Sequence, residues 1–190
     1  HVVVDKPFTV TLSQARELDA LAKSFGRLLS VFHNRRWDSD FLTVKSLINE
    51  GSLGEIAWFE SHFDRYRPQV RNRWREQAGP GSGIWYDLGP HLLDQAVNLF
   101  GLPVSLTVDL AQLRPGAQTT DCFHAILSYP QRRIVLHASM LAAAETARYI
   151  VHGSRGSYVK YGLDPQEERL KSGERLPQED WGYDMRDGIL

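Results

Sequence analysis

The stretch Gly79-Pro80-Gly81-Ser82-Gly83-Ile84-Trp85-Tyr86-Asp87-Leu88-Gly89-Pro90-His91-Leu92-Leu93-Asp94-Gln95 concentrates the chemistry of the chain, and it reads as a loop that becomes a helix. Pro90 suits the first turn of that helix and Gly101 its stop, while Leu92, Leu93, Ala96, Val97 and Phe100 recur at helical spacing and predict one buried stripe. His91, Asp94 or Gln95, and Asn98 then fall on an opposite, polar face. Asp87 stands four residues before His91 at the helix entrance, where its carboxylate caps free N–H groups or meets the imidazole. A carboxylate beside a histidine makes a proton-transfer site, because the acid fixes the tautomer and stabilises the imidazolium. A capping aspartate and a surface histidine are the plainer reading of the same spacing.

Upstream, the pattern is strand, helix, strand. His1-Val2-Val3-Val4 reads as a short, fully buried strand running into Asp5-Lys6-Pro7, and Leu28 to His33 reads as a second. Between them Thr11-Leu12-Ser13-Gln14 offers a capping box, and Ala15, Leu18, Ala22 and Phe25 mark a helix closed by Gly26. This is one βαβ crossover of a doubly wound parallel sheet, so residues 1–33 are expected to be the tail of an α/β domain whose earlier part lies outside the chain. Lys6, at the C-terminal end of a buried parallel strand, stands where open α/β sheets bind ligands; a surface lysine is the plainer alternative. Pro7 could sit in either peptide isomer.

A second domain is expected over 34–190. Asp38 or Ser39 caps a helix carrying Phe41, Val44, Leu47 and Ile48 to a stop at Gly51. Residues 55–63 predict a strand covered on both sides, with Ile56 and Trp58 on one face and Ala57, Phe59 and Phe63 on the other. The Arg-rich, aromatic segment 64–78 is a poor core and a plausible pocket wall.

Downstream, strands at 105–113, 121–129, 133–140, 147–153 and 157–161 follow one another without helices, which predicts an antiparallel sheet. Helices are available for one face, and an opposite face carrying Leu106, Val108, Phe123, Leu127 and Leu136 is expected to pair with a second copy in a two-fold dimer. The polar run 164–188 is assigned little regular structure. Gly79, Gly81 and Gly83 do not follow a buried strand as a dinucleotide fingerprint must; they make a turn or a loop whose backbone approaches a ligand. Gly153 to Ser157 reads as a hairpin turn.

Lysine and arginine total 22 against 23 aspartates and glutamates, which gives no basic field for nucleic acid. No apolar run is long enough to span a membrane. The seven histidines lack metal-ligand spacing, so no metal is expected. The single cysteine, Cys122, and the lack of a leader favour a reducing cytoplasm.

These residues converge on a resemblance. Asp5-Lys6-Pro7 is similar to the Glu-Lys-Pro motif of the glucose-fructose oxidoreductase, inositol dehydrogenase and rhizopine-catabolism (Gfo/Idh/MocA) family. Gly81-x-Gly83 through Asp87-x-Gly89-x-His91-x-x-Asp94 resembles that family's glycine-then-Asp-Gly-His-Asp signature, and Gly51 to Ile56 its helix-to-strand turn. The Asn34-Arg35-Arg36-Trp37-Asp38 run resembles a subgroup of bacterial oxidoreductases. The resemblance spans 1–163 and implies an α/β fold, with an open-faced, mostly antiparallel sheet preceded by a remnant (1–33) of a Rossmann domain.

It also implies a NAD- or NADP-dependent oxidoreductase acting on a sugar, polyol or related small molecule. Lys6, with Pro7, would meet the nicotinamide end of the cofactor and the substrate; His91 would move the proton, and Asp87 would be its partner or a substrate ligand. Arg36, Tyr66, Trp74, Trp85 and Tyr86 are candidate substrate contacts, because aromatic faces with polar tips suit sugar rings. Three departures stand out: Asp5 replaces glutamate, the glycine-rich phosphate loop is absent, and the chain stops before the usual closing helix and strand. No NAD(P) is therefore expected to bind these residues alone. A non-catalytic scaffold or oligomerisation module is the alternative, and a metal-assisted isomerase a third.

Overall fold

The computed structural model describes residues 1–175 and 179–190. The first unit is one crossover: β1 (Val2–Asp5), α1 (Leu12–Ser24) and β2 (Leu29–Phe32), with β1 and β2 parallel. Thr11 and Gln14 close the expected capping box, Gln14 N–H donating to Thr11 Oγ1 at 3.3 Å and Thr11 N–H to Gln14 Oε1 at 3.1 Å. The expectation of fully buried strands does not hold. Val3 is 70% exposed and none of α1's residues is buried, because one helix on two strands leaves most apolar faces uncovered.

The rest is a six-stranded sheet with helices on one face, in the order β4-β5-β6-β3-β7-β8. Its strands are β3 (Ile56–His62), β4 (Ser105–Ala111), β5 (Cys122–Ser128), β6 (Arg133–Ser139), β7 (Tyr149–Gly153) and β8 (Ser157–Lys160). Every neighbouring pair is antiparallel except β3 with β6. Helices α2 (Ser39–Asn49) and α3 (Ile84–Phe100) cover the inner face. Phe41, Phe59, Phe63, Leu92, Phe123, Leu127, Leu136 and Tyr149 fill the layer between, each worth about 1.5–3 kcal/mol on burial.

Register corrects two expectations about faces. Leu106, Val108 and Leu110 stand opposite Leu127, Ala125 and Phe123, which are core residues, so this apolar row points toward the helices. The uncovered face instead carries Trp58, Glu60, His62, His124, Ile126, Val135 and His137. In β3 a bulge between Ile56 and Trp58 puts Ile56 and Phe59 on the same buried side and leaves Ala57 and Trp58 exposed, so the strand is covered on one side.

Helix α3 begins six residues before Pro90, earlier than the proline suggested. Gly83 is its cap at φ 90°, packed so closely that a Cβ would lie 2.6 Å from Thr119 Oγ1, and Ile84 N–H donates to Thr120 O at 2.8 Å. The buried stripe runs through Ile84, Leu88, His91, Leu92, Gln95 and Ala96, so His91 and Gln95 lie inside and Val97 outside. Asp38 caps α2 without a side-chain hydrogen bond; Ser39 N–H donates instead to Asp164 at 2.7 Å. The segment after 163, expected to be irregular, contains a short helix, α4 (Gln166–Lys171). It has no buried residue and is held by Asp164, by Gln166 on Trp37 O and by Glu167 on Arg35, contacts that local sequence does not encode. Within that same expectation, residues 176–178 lie outside the described residues.

Candidate active site

The end of β1 meets the first half of α3. Lys6 follows β1, and its Nζ donates to Asp87 O at 2.6 Å and to Asp87 Oδ1 at 2.9 Å. Arg75 Nε lies 3.4 Å from the same carboxylate oxygen. Asp87 is the fourth residue of α3, so it is a partner for cations and not a cap. Burial pushes its carboxyl up, but Lys6, Arg75 and Arg65 together hold it below the ordinary carboxylate range.

His91, one turn along the helix, is buried, and its Nδ1 has no hydrogen-bond partner among the described residues. Burial, then the charges of Lys6 and Arg35, bring its pKa down to about 3, with Asp87 opposing. The imidazole is therefore neutral at ordinary pH, and among the described residues no acid hydrogen-bonds its Nδ1.

These three residues open onto a cavity of about 470 Å³ lined also by Phe32, Asn34, Arg35, Arg65, Arg67, Arg71, Arg73, Arg75, Glu167 and Lys171. Buried Arg114 fixes the arginine-rich wall: its Nη1 donates to the carbonyls of Arg67 and Gln69 at 3.0 and 3.2 Å. Its remaining nitrogens meet Asp121 at 2.9 Å and Glu76 at 3.0 Å. Beneath α3, Gln95 accepts from Arg148 at 3.2 Å and from Tyr149 at 2.9 Å, and donates to Arg35 O at 2.8 Å. That buried chain ties the floor of the sheet to the turn carrying Arg35.

Lys6, Asp87 and His91 thus line one cavity, with Asp87 held by Lys6 and not hydrogen-bonded to His91, the partner that the motif implied. Pro7 follows through a cis peptide bond and faces a neighbouring groove with Phe8 and Val10. The five expected substrate contacts are elsewhere, and none is among the described residues lining the cavity. Arg36 is held bidentately by Asp94 at 2.7 and 2.6 Å. Tyr66 and Trp74 are exposed, Trp85 packs edge-on against Phe123 at 5.0 Å, and Tyr86 reaches Val10 O at 3.4 Å. The cationic residues of 65–75 line the cavity instead; their density in sequence was the available signal. Among the described residues no group of three or more His, Cys, Asp or Glu could hold a metal ion, and no helix is long and apolar enough to cross a membrane.

The profile of the oxidoreductase family's C-terminal alpha/beta domain matches residues 45–190. The uncharacterized oxidoreductase YdgJ of Escherichia coli is 87% identical over 190 residues, covering 100% of this chain and 55% of that protein. The scyllo-inositol 2-dehydrogenase (NADP(+)) IolW of Bacillus subtilis is 44% identical over 185 residues, 97% of this chain and 52% of that protein. A solved structure from Yersinia pestis superposes with a TM-score of 0.93 at 72% identity, covering 99% of this chain and 53% of the other. The chain spans about half the length of the curated relatives it matches. With a cationic site at the junction of a parallel crossover and an open-faced sheet, and with this match, the chain belongs to the Gfo/Idh/MocA oxidoreductase family and carries its C-terminal alpha/beta domain.

Proposed function

We propose that the chain supplies the substrate-binding and proton-handling residues of a NAD(P)-dependent oxidoreductase acting on a CH–OH group of a sugar, polyol or related compound. The observation that carries this is the convergence of Lys6 on Asp87 beside buried, neutral His91, where a parallel strand ends against a helix. A nicotinamide cofactor fits this corner at one end: Lys6 stands at the C-terminal end of a parallel strand and has one ammonium proton beyond the two it gives Asp87. A relative of known name uses NADP, which supports the choice of cofactor class.

The cofactor's contribution is to accept a hydride from the carbinol carbon. Lys6 would donate its remaining N–H to the substrate oxygen and stabilise the developing oxyanion, and His91 would take the hydroxyl proton as the C=O bond forms. An imidazole held at about 3 is a weak base. Proton removal therefore depends on Lys6 lowering the hydroxyl's pKa, and on the oxyanion offsetting the Lys6 charge that helps to depress His91. Asp87 fixes the ammonium in place.

The proposal includes a two-fold dimer through the uncovered sheet face, where partly exposed Trp58 stands among Ile126, Val135 and the histidines. A cytoplasmic setting accords with the unpaired Cys122 thiol. The test is turnover by the whole protein of a panel of sugars and polyols with NAD and NADP, followed by nicotinamide absorbance. Wild-type turnover in both Lys6→Ala and His91→Ala on an accepted substrate would sink the assignment.

A further inference from the structure

Most cations around the cavity already have an acid. Lys6 and Arg75 share Asp87, Arg35 meets Asp38 and Glu167, and Arg73 meets Glu76. Arg65, Arg67 and Arg71 do not: among the described residues their guanidinium groups have no ion pair and no side-chain hydrogen bond, although all three line the same cavity as His91. Arg65 lies 5.3 Å from the ring centroid of Phe63, and it feels Asp87 and Glu167 only at a distance, without a direct ion pair. Burial, then the neighbouring arginines, lowers the pKa of both Arg65 and Arg67 below the ordinary guanidinium value. Like charges gathered in a partly desolvated cavity are unfavourable unless an anion joins them.

We infer that the cavity takes an anionic substrate, a sugar or polyol bearing a carboxylate or a phosphate, whose charged group is held by Arg65, Arg67 and Arg71. The polyol part of this inference rests on the dehydrogenase reading; the anionic part rests on the unpaired guanidinium groups. Arginine's planar fork matches both carboxylate and phosphate oxygens, so the shared chemistry is a fixed anion. At about 470 Å³ the cavity is in the range of small-molecule sites. Arg114 holds this wall through main-chain carbonyls of Arg67 and Gln69, which leaves the guanidinium groups of Arg67 and Arg71 to meet a ligand.

The experiment is isothermal titration of the whole protein with gluconate, glucose-6-phosphate and inorganic phosphate, with glucose and inositol as neutral counterparts, repeated at high salt and with saturating NADPH. At least one charged sugar should bind roughly tenfold more tightly than its neutral counterpart, and that advantage should shrink as salt screens it. Gluconate alone or glucose-6-phosphate alone showing the advantage identifies the carboxylate or the phosphate. Arg67→Gln and Arg71→Gln, at guanidinium groups without an ion pair among the described residues, should each lose at least about half of the charged ligand's advantage over its neutral counterpart in log affinity. Failure of all three anions to bind, equal affinity for charged and neutral sugars, or variants that bind the anion like wild type would overturn the inference. Loss of the charged ligand's advantage once NADPH is bound would also overturn it, because the arginines would then belong to the cofactor. Turnover of neutral polyols without preference for charge removes this inference and leaves the dehydrogenase reading standing. A charged sugar that binds with these signatures and is never oxidised does the reverse.

Discussion

Lys6 Nζ grips Asp87 twice, at the main-chain carbonyl (2.6 Å) and at the carboxylate (2.9 Å), and so ties the crossover unit to helix α3 across 81 residues of sequence. With side chains only 12% and 17% exposed, removing one partner strands the other's charge in a partly dry setting. Asp87→Asn and Lys6→Met should each lower stability by about 1–3 kcal/mol, and the double variant should lose clearly less than their sum. Denaturant melts of the four proteins measure the coupling; strictly additive losses would show that the contact carries no energy.

His91→Ala removes the proposed proton acceptor. In the whole protein, on an accepted substrate, turnover should fall roughly 10²–10⁴-fold while cofactor affinity is retained. Steady-state kinetics with cofactor titrations separate these two effects, and an equal loss in both would point to a purely structural role.

Acid should reach the same histidine through stability. The folded state holds His91 at about 3 and the unfolded chain at about 6.5, so between those values the unfolded state binds more protons. Stability therefore rises with pH across that window and is lost as pH falls, by a few kcal/mol at most at about 1.4 kcal/mol per pH unit. His62 works the other way, because Asp64 and Glu60 outweigh its burial and raise its pKa; its contribution is present below 6.5 and lost as pH rises through the higher folded value. Melting temperatures of wild type and His91→Gln, followed from neutral pH into acid, isolate the His91 part as the difference in slope.

Arg114 is a buried hub for the cavity wall. Arg114→Met strips buried Asp121 of its cation and leaves Glu76 with Arg73 alone, and should cost about 3–5 kcal/mol. The conservative Arg114→Lys should recover only part of this, since an ammonium cannot meet Asp121, Glu76 and two carbonyls in one plane. Thermal melts rank the two variants.

Trp58 on the uncovered sheet face provides the test of self-association. Trp58→Glu places a charge in the proposed dimer contact and should shift the whole protein from dimer to monomer in light scattering, with little change in the fold of each copy. A wild-type protein that is monomeric at high concentration would refute the dimer.

The sequence carried the parts of this protein that repeat or cap locally. Period-two alternation located the strands of the second unit, the Thr11–Gln14 box located α1, and the motifs singled out Lys6, Asp87 and His91, although not the Lys6–Asp87 contact. Alternation alone does not say which row of a strand faces the helices, so the expectation of Leu106 and Val108 on the open face gives way to the pairing with β5, which turns their row toward the helices. A bulge of one residue in β3 likewise reverses faces without a compositional sign. Polar residues at helical spacing read as solvent-facing, yet His91 and Gln95 are buried; the partners that satisfy Gln95 come from residues more than fifty positions away.

The same holds for the cavity. A run of arginines announces charge, but whether each charge is neutralised depends on where acids such as Asp87, Glu76 and Glu167 arrive in space. Local sequence therefore determined the elements and singled out the candidate site residues, because propensity, capping and periodicity act over a few residues. Tertiary structure alone decided burial, pairing and pKa, because desolvation and Coulomb energy depend on distances between segments that the chain brings together only when it folds.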